Sequence, residues 1–153
     1  MIWTWACWTA LRVDDLYDAL ALRAAVFVLE QNCPFVDPDG ADRQSAHLLG
    51  RNDAGDLLAY LRVVDPGIKY AEPAIGRVVT APAARGTGLG RALMAEGLRR
   101  CEQAWPGQAI ALGAQAHLER FYGSLGFARR GEPYVEDGIP HVHMLRVGQR
   151  RAS

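Results

Sequence analysis

The sequence lacks the features that mark several classes of protein. Acidic and basic residues are equal in number, at 17 each in 153 residues, so no net charge attracts the chain to nucleic acid or to an anionic membrane. Three widely spaced cysteines without a C-x-x-C pair argue against a zinc site or a disulfide framework and favour a reducing compartment. No apolar run reaches the roughly 18 residues of a membrane span. We therefore expect one domain in the cytoplasm, with no metal, membrane or nucleic-acid partner.

Two phosphate-binding patterns are also absent from residues 75–94, although that stretch otherwise suits a phosphate. Walker-type loops require Gly-Lys-Ser or Gly-Lys-Thr at the start of a helix, and the chain has no such triplet. The dinucleotide pattern G-x-G-x-x-G fails because Arg91 stands where its last glycine belongs. A nucleotide-binding switch is therefore disfavoured.

What the stretch does contain predicts an anion-binding cradle, residues 85–91. An apolar run at 75–79 is typical of a buried strand, and glycine at every second position of 86–90 leaves backbone amides uncovered where a helix begins. The first N–H groups of a helix have no intrahelical acceptor, so they can bind a phosphate through the main chain. Arg85 and Arg91 add positive charge at the edges. A glycine-rich turn without a ligand is the alternative interpretation.

Stretches with the apolar spacing of strands and stretches with the apolar spacing of helices follow one another along the chain, which predicts an architecture of both strands and helices. The strand-helix-strand unit across 75–113 predicts a parallel strand pair. Residues 1–147 are expected to form the domain and 148–153 a disordered tail. The predicted strands are 2–8, 47–50, 57–64, 75–80, 109–113, 128–134 and 141–145, and the predicted helices are 14–27, 88–104 and 115–126, with a polar loop at 30–42.

A second motif follows the cradle along the chain. The pattern Tyr122-x-x-x-Gly126-Phe127 begins seven residues after Gln115. Together with Arg85-x-x-Gly88-x-Gly90, it resembles the coenzyme-A site of the GNAT superfamily of N-acetyltransferases, and segments 26–31, 113–117 and 136–141 resemble its ElaA-like branch. The resemblance covers nearly the whole chain. It implies an α+β, three-layer fold: a mixed, mostly antiparallel twisted sheet with a central pair of splayed parallel strands and helices on both faces.

The resemblance implies acetyl-CoA as the cofactor. The strand ending at Thr80 would carry a bulge that separates it from its parallel neighbour, so that backbone groups there bind the pantetheine arm as if it were an added strand. The N–H of Val79 would polarise the thioester carbonyl. The cofactor-binding residues so implied are Val78, Val79, Thr80, Arg85, Gly86, Thr87, Gly88, Leu89, Gly90, Arg91, Gln115 and Tyr122.

Tyr122 is the implied general acid, because a phenol with a pKa of about 10 is a protonated donor at neutral pH. The alternative is a core aromatic residue whose hydroxyl is satisfied. The acidic residue that many members use on the central strand is missing from 74–80. Glu30, at the end of the first helix, is therefore favoured as the base, with three histidines as alternatives. The acceptor side is predicted to include Glu30, Gln31, His47, Arg62, His117, Glu136 and His141.

The leading hypothesis is an N-acyltransferase that moves an acetyl group from acetyl-CoA to a primary amine of a small molecule or peptide by direct attack. The resemblance places two acidic loops near the acceptor mouth, and their charge would suit a cationic amine, with ordinary solvated loop acids as the alternative; the residues are Glu30, Asp37, Asp39, Asp42, Glu136 and Asp137. Arg62 is expected to form a structural ion pair. The alternative is a catalytically silent acyl-CoA-binding or interaction module. Either protein is expected as a monomer or a homodimer.

Overall fold

Over residues 1–148, described here by a computed structural model, the chain forms eight strands and three α-helices. The predicted tail lies outside the described residues from position 149 onward. In chain order the elements are β1 Ile2–Cys7, α1 Val13–Arg23, β2 Ser45–Arg51, β3 Leu57–Val64, β4 Ala74–Thr80, α2 Leu89–Ala104, β5 Ile110–Gln115, α3 Glu119–Gly123, β6 Phe127–Arg129, β7 Tyr134–Glu136 and β8 Ile139–Arg146.

The strands form one mixed sheet in the order β1-β2-β3-β4-β5-β8-β6, with β7 paired to β8. The pairs are antiparallel except for β4 and β5, which are parallel. The helix α2 connects these two parallel strands, as the strand-helix-strand pattern predicts. The predicted mixed sheet with a central parallel pair is confirmed.

Helices cover both faces of the sheet. Neighbouring residues of β3 show this, since they point to opposite faces and pack in two different hydrophobic clusters. Leu61 packs with Leu93 and Met94 of α2, and each of these two is fully buried, which contributes roughly 1.5–3 kcal/mol. Tyr60 packs instead with Ala19 of α1. At Gly97 a Cβ would lie 2.8 Å from a methyl carbon of Leu61, so α2 approaches the sheet as closely as it does only with glycine there.

The helix predicted over 115–126 is wrong at its start. Gln115 ends β5 and pairs with His141 of β8, so sheet pairing overrides the helical pattern there. A short 3₁₀ turn, Ala116–Leu118, precedes α3. The strand predicted over 128–134 is divided into β6 and β7, because Gly131 has φ +84° and Pro133 has no N–H to donate to a ladder.

The first helix extends beyond its α-helical part. Residues Ala24–Glu30 continue α1 as a π-helix, with i to i+5 bonds from the N–H of Gln31 to Val26 O (3.1 Å) and from the N–H of Cys33 to Val28 O (3.0 Å). Such wide turns are frequent at functional sites. Here the wide turn places Glu30 and Gln31 at a cleft in the sheet.

Candidate active site

The cleft exists because β4 and β5 separate. They pair only at Ala74 with Ala111 and at Ile75 with Leu112, and beyond these positions β4 continues to Thr80 without a partner on that edge. Its opposite edge stays on β3, with a bulge: Gly76 pairs with Arg62 and Val79 pairs with Tyr60. Two residues of β4 therefore face one residue of β3.

Arg77 occupies the bulge with φ +51°, a left-handed conformation that costs an ordinary residue roughly 1–2 kcal/mol. Asp37 holds the arginine there. The Arg77 Nε donates to Asp37 Oδ1 at 2.8 Å and its Nη2 donates to the Asp37 carbonyl at 2.9 Å. An ion pair formed with the 31–40 loop thus stabilises the bulge that opens the sheet.

The cleft has a volume of about 630 Å³. It brings together most of the predicted site residues, from both halves of the chain. Those lining it are Glu30, Gln31, Arg62, Val78, Val79, Thr80, Arg85, Gln115, His117, Tyr122, Glu136 and His141.

Tyr122 lines this cleft from α3 and is 6% exposed. Phe121 and Phe127 contact its ring edge to face, with centroids 5.1 and 6.2 Å away. Burial raises the pKa of Tyr122 to about 12, so the phenol is protonated across the neutral range. Within residues 1–148 its hydroxyl has no hydrogen-bond partner, which leaves the donor free for a ligand.

The cradle lies at the start of α2. Gly86 and Gly88 have φ of +77° and +81°, which only glycine adopts without strain. None of the hydrogen bonds found among residues 1–148 is donated by the main-chain N–H groups of residues 86–91. Arg91 stacks over Phe121 at 5.3 Å and donates to Ser124 Oγ at 3.2 Å, and so joins the cradle to α3. Six consecutive open donors at a helix N-terminus can bind a diphosphate.

Glu30 and Arg85, predicted as base and as pyrophosphate ligand, are paired with each other. The two guanidinium nitrogens of Arg85 donate to the two carboxylate oxygens of Glu30 at 2.6 and 3.1 Å. Both side chains are about two-fifths exposed, at 43% and 42%. The pair links the π-helix to the cradle, and neither group is free in this arrangement.

The acidic residues of the 30–42 loop are paired with arginine and do not offer free negative charge to a cationic acceptor, so this part of the expectation is wrong, whereas Glu136 and Asp137 of the second loop line the cleft. The aspartates of the 30–42 loop belong to an arginine–aspartate cluster. Arg23, fully buried, bridges Asp37 (2.7 Å) and Asp42 (2.8 Å). Arg62 contacts Asp39 (2.6 Å) and Asp42 (3.0 Å), as expected for a structural ion pair. The full cluster is Arg23, Arg62, Arg77, Asp37, Asp39 and Asp42.

The cluster keeps the carboxylates of Asp39 and Asp42 ionised. Burial alone would raise the pKa of Asp42, but hydrogen bonds from Arg23 and Arg62 outweigh it and lower the pKa below the ordinary 3.8. The pKa of Asp39 is lowered likewise, with Arg62 as the main partner that overcomes burial. The negative charges therefore stabilise the loop and the bulge.

His47 belongs with the cluster and not with the cleft, which corrects its predicted place on the acceptor side. It is fully buried, its Nε2 donates to the Asp42 carbonyl at 2.9 Å, and its Nδ1 accepts from the Tyr60 hydroxyl at 2.7 Å. Burial lowers its pKa, so the ring is neutral. Both ring nitrogens of His47 form hydrogen bonds, because the 41–44 turn covers this face of β2.

His141 is a partly buried histidine of the cleft, and one of its ring nitrogens makes no hydrogen bond within residues 1–148. Its Nδ1 lies 2.7 Å from the Ile139 carbonyl, and since a carbonyl only accepts, Nδ1 carries the proton of the neutral ring. Nε2 then presents a lone pair and lies 3.7 Å from Glu136 Oε2. His117, in contrast, is exposed on its 3₁₀ turn at the cleft margin.

Sequence reasoning missed Lys69, Tyr70 and Tyr134, which also line the cleft. The hydroxyl of Tyr134 lies where a Cβ at Gly113 would be 2.5 Å away, so glycine in β5 makes room for it. The only available signal was the alternation of β7, which sends Tyr134 and Glu136 to one face. Nothing in the sequence points to the loop that carries Lys69 and Tyr70.

Two kinds of feature, a membrane-spanning helix and a metal-binding group of side chains, are absent from the described residues. None of the helices within positions 1–148 combines the length and the apolarity of a transmembrane span. Over the same positions, no three His, Cys, Asp or Glu side chains are grouped so that they can hold a metal ion.

Comparisons with known proteins agree with this geometry. A family model described as an acetyltransferase (GNAT) domain matches residues 37–147. Protein ElaA of Escherichia coli strain K12 is 47% identical over 139 residues, covering 89% of this chain and 90% of that protein.

Solved structures give the same result. The crystal structure of an acyl-CoA N-acyltransferase from Pseudomonas aeruginosa has a TM-score of 0.90 at 44% identity and covers 96% of this chain and 100% of its own. An aminoglycoside 6′-N-acetyltransferase complexed with coenzyme A shares the fold, with a TM-score of 0.73 and 13% identity over the full length of both chains.

Proposed function

The chain belongs to the GNAT acetyltransferase family and to its ElaA-like branch, and we propose that it moves an acetyl group from acetyl-CoA to a primary amine of a small molecule or peptide. Family membership supports acyl-CoA-dependent acyl transfer as the reaction class. The observation that carries the finer proposal is the unpaired edge of β4 beside six open N–H groups at the start of α2.

Binding of the cofactor follows from these two features. The N–H groups of 86–91 hold the diphosphate, with Arg91 already oriented by Phe121 and Ser124. The free edge of β4 at 78–80 receives the pantetheine amides as an added strand. Gln115, which donates to Gln31 Oε1 at 3.3 Å, closes the opposite wall.

One group of the chain then acts on the reacting atoms. The N–H of Val79, the predicted donor to the thioester oxygen, lies on the edge that pairs with β3 and is not open to the cleft, because Val79 opposes Tyr60 and the N–H of Ala81, two positions on, donates to Leu58 O. The hydroxyl of Tyr122 gives its proton to the departing thiolate, a role suited to a buried phenol without another partner. The bound thioester supplies the activated acyl group.

The proton of the attacking amine needs an acceptor. His141 Nε2 has an open lone pair in the cleft, while both oxygens of Glu30 are engaged by Arg85. We therefore propose His141 as the base, directly or through water. The prediction that Glu30 is the base remains the alternative, and it requires Arg85 to leave Glu30 for the diphosphate.

Titration calorimetry with acetyl-CoA, followed by release of free thiol across a panel of amines, tests this function. Tyr122→Phe should bind acetyl-CoA as the parent does and lose about 100-fold or more in kcat. His141→Gln should lower kcat while Glu30→Gln retains it; the reverse pattern assigns the base to Glu30. Unchanged turnover in Tyr122→Phe removes that residue from its role, and absence of binding at millimolar acetyl-CoA contradicts the proposal altogether.

The alternative, a catalytically silent acyl-CoA-binding or interaction module, gives a different result in the same assay. Such a module binds acetyl-CoA but releases no thiol with any amine, and Tyr122→Phe changes nothing. Location in the cytoplasm and a monomeric or homodimeric state stay expectations, to be checked by fractionation of cells and by sedimentation.

A further inference from the structure

Lys69 is the only lysine of the sequence, since every other residue of the Lys and Arg count is arginine. It lies between β3 and β4 and lines the same cleft as Val79 and Tyr122. Arginine stays protonated and does not act as an amine nucleophile, so Lys69 is the single side-chain amine that the chain possesses. The amine of Lys69 thus belongs to a residue that lines the cleft in which we propose that amines are acylated.

Lys69 is loosely held. Its Nζ lies 3.6 Å from Asp39 Oδ2, and its side chain is 40% exposed. The same oxygen accepts from Arg62 Nη2 at 2.6 Å, and Asp39 Oδ1 accepts from Arg62 Nη1 at 2.8 Å. Lys69 can therefore leave Asp39 without stranding a buried carboxylate.

The surroundings of Lys69 also favour its neutral, nucleophilic form. Burial lowers its pKa, and the positive charges of Arg62 and Arg77 lower it further, while Asp39 and Glu136 act in the opposite direction. Asp39 is also 3.5 Å from Arg77 Nη2, and Arg77 directly precedes Val78 on β4. One shared carboxylate thus connects the amine to the strand that is proposed to bind the thioester.

We infer that Lys69 is a self-acylation site, whose Nζ takes the acyl group from acyl-CoA bound in the cleft of its own chain. The inference rests on the proposed function. The neutral amine attacks the thioester carbon, the N–C bond forms and the C–S bond breaks. Tyr122 protonates the thiolate, and the amine loses its proton to His141 or to water. One acetyl-CoA gives one acetyl-lysine and one coenzyme A.

The reaction has four signatures when the full chain is incubated with acetyl-CoA without an added amine. Intact mass increases by one acetyl group, and peptide mapping assigns it to Lys69. The fraction modified per unit time is independent of protein concentration. Lys69→Arg gains no acetyl group there, and Tyr122→Phe is modified about 100-fold more slowly. The amine of Met1 serves as the internal measure of untargeted chemical acetylation.

Three results overturn the inference: equal labelling of Met1 and Lys69, equal rates in the parent and Tyr122→Phe, or a rate proportional to protein concentration. The same samples are tested for acetyl-CoA binding and for thiol release with external amines. If external amines are acetylated while Lys69 is not, self-acylation fails and the proposed function stands. If acetyl-CoA does not bind, both fail.

Discussion

Two charged regions flank the open end of β4, and they are built in opposite ways. In the arginine–aspartate cluster, Arg23, Arg62, Asp37 and Asp42 are buried together, Asp39 and Arg77 are partly exposed, and each carboxylate has arginine partners. In the cradle, the N–H groups of 86–91 point to no acceptor within residues 1–148. One region has all but one of its buried polar atoms satisfied by the protein, the exception within residues 1–148 being Arg62 Nε, and the other region leaves its donors for a ligand.

The difference separates stabilising from binding roles. Removing one member of a buried ionic network leaves a charge without compensation, so it costs folding free energy. An open donor at the surface costs little in water and becomes strong when a phosphate replaces the water. Substitutions in the cluster should therefore change stability, and substitutions in the cradle should change cofactor affinity.

The largest expected effect is on stability. Asp42→Ala removes a partner from both Arg23 and Arg62, which are buried, and should lower the free energy of unfolding by about 3–5 kcal/mol in a urea titration. Glu119→Ala, which breaks an exposed pair with Arg129, is the control and should cost about 1 kcal/mol or less. Equal losses in the two variants would mean that the cluster has no special role in stability.

The same cluster should make stability depend on pH. The folded-state pKa values of Asp39 and Asp42 lie below their unfolded values, so their stabilisation is present above about pH 4 and is lost as pH falls through the folded values. Urea midpoints of the parent chain should fall steeply from pH 4 to pH 2. Asp42→Asn should show a shallower fall, and an identical slope would contradict the assignment.

A smaller effect is expected on the affinity of the cradle for acetyl-CoA. Gly88→Ala places a Cβ at φ +81° among the open N–H groups and should raise the Kd for acetyl-CoA about tenfold, or 1.4 kcal/mol. Gly107→Ala, with φ +74° beyond the other end of α2, carries similar backbone strain and is the matched control. Both variants should lose similar stability, and calorimetry should find weaker binding only in the first.

The smallest effect should come from the exposed pair between the two regions. Glu30→Gln frees Arg85 for the diphosphate, so the Kd for acetyl-CoA should fall by a few fold while stability changes by about 1 kcal/mol or less. Glu119→Gln is the control with no expected change in binding. Weaker binding in Glu30→Gln would show that the pair shapes the cradle instead of competing with it.

Much of the fold was predictable, because it depends on local patterns. The strand 57–64 has the predicted bounds, and the helix starting at the cradle and the parallel pair are where periodicity indicated. Misplaced boundaries occurred where long-range pairing opposes local preference. Gln115 is the clearest case, since its ladder with His141 draws it into β5 although the following apolar pattern is helical.

Most residues that line the candidate site could be predicted from the sequence, but the ion pairs that these residues form could not. Nothing local indicates that Glu30 pairs with Arg85, 55 positions away, or that Asp37 reaches Arg77 across 40 positions. Without these contacts the acidic loop looks like a binding surface for cations. The bulge was expected from the family resemblance, but its occupation by an arginine at positive φ was not.

By itself the sequence determined the cradle, since three closely spaced glycines and a helix start prescribe a backbone conformation within seven residues. It also indicated that Tyr122 lies on a helix after the strand at 109–113, although the structure begins that helix at Glu119 and not at Gln115. Only the tertiary structure decided which charged residues are paired with each other, that Nε2 of His141 makes no hydrogen bond within the described part of the chain, and that Lys69 lines the cleft. Those properties depend on distances between groups far apart in the chain, and only folding sets such distances.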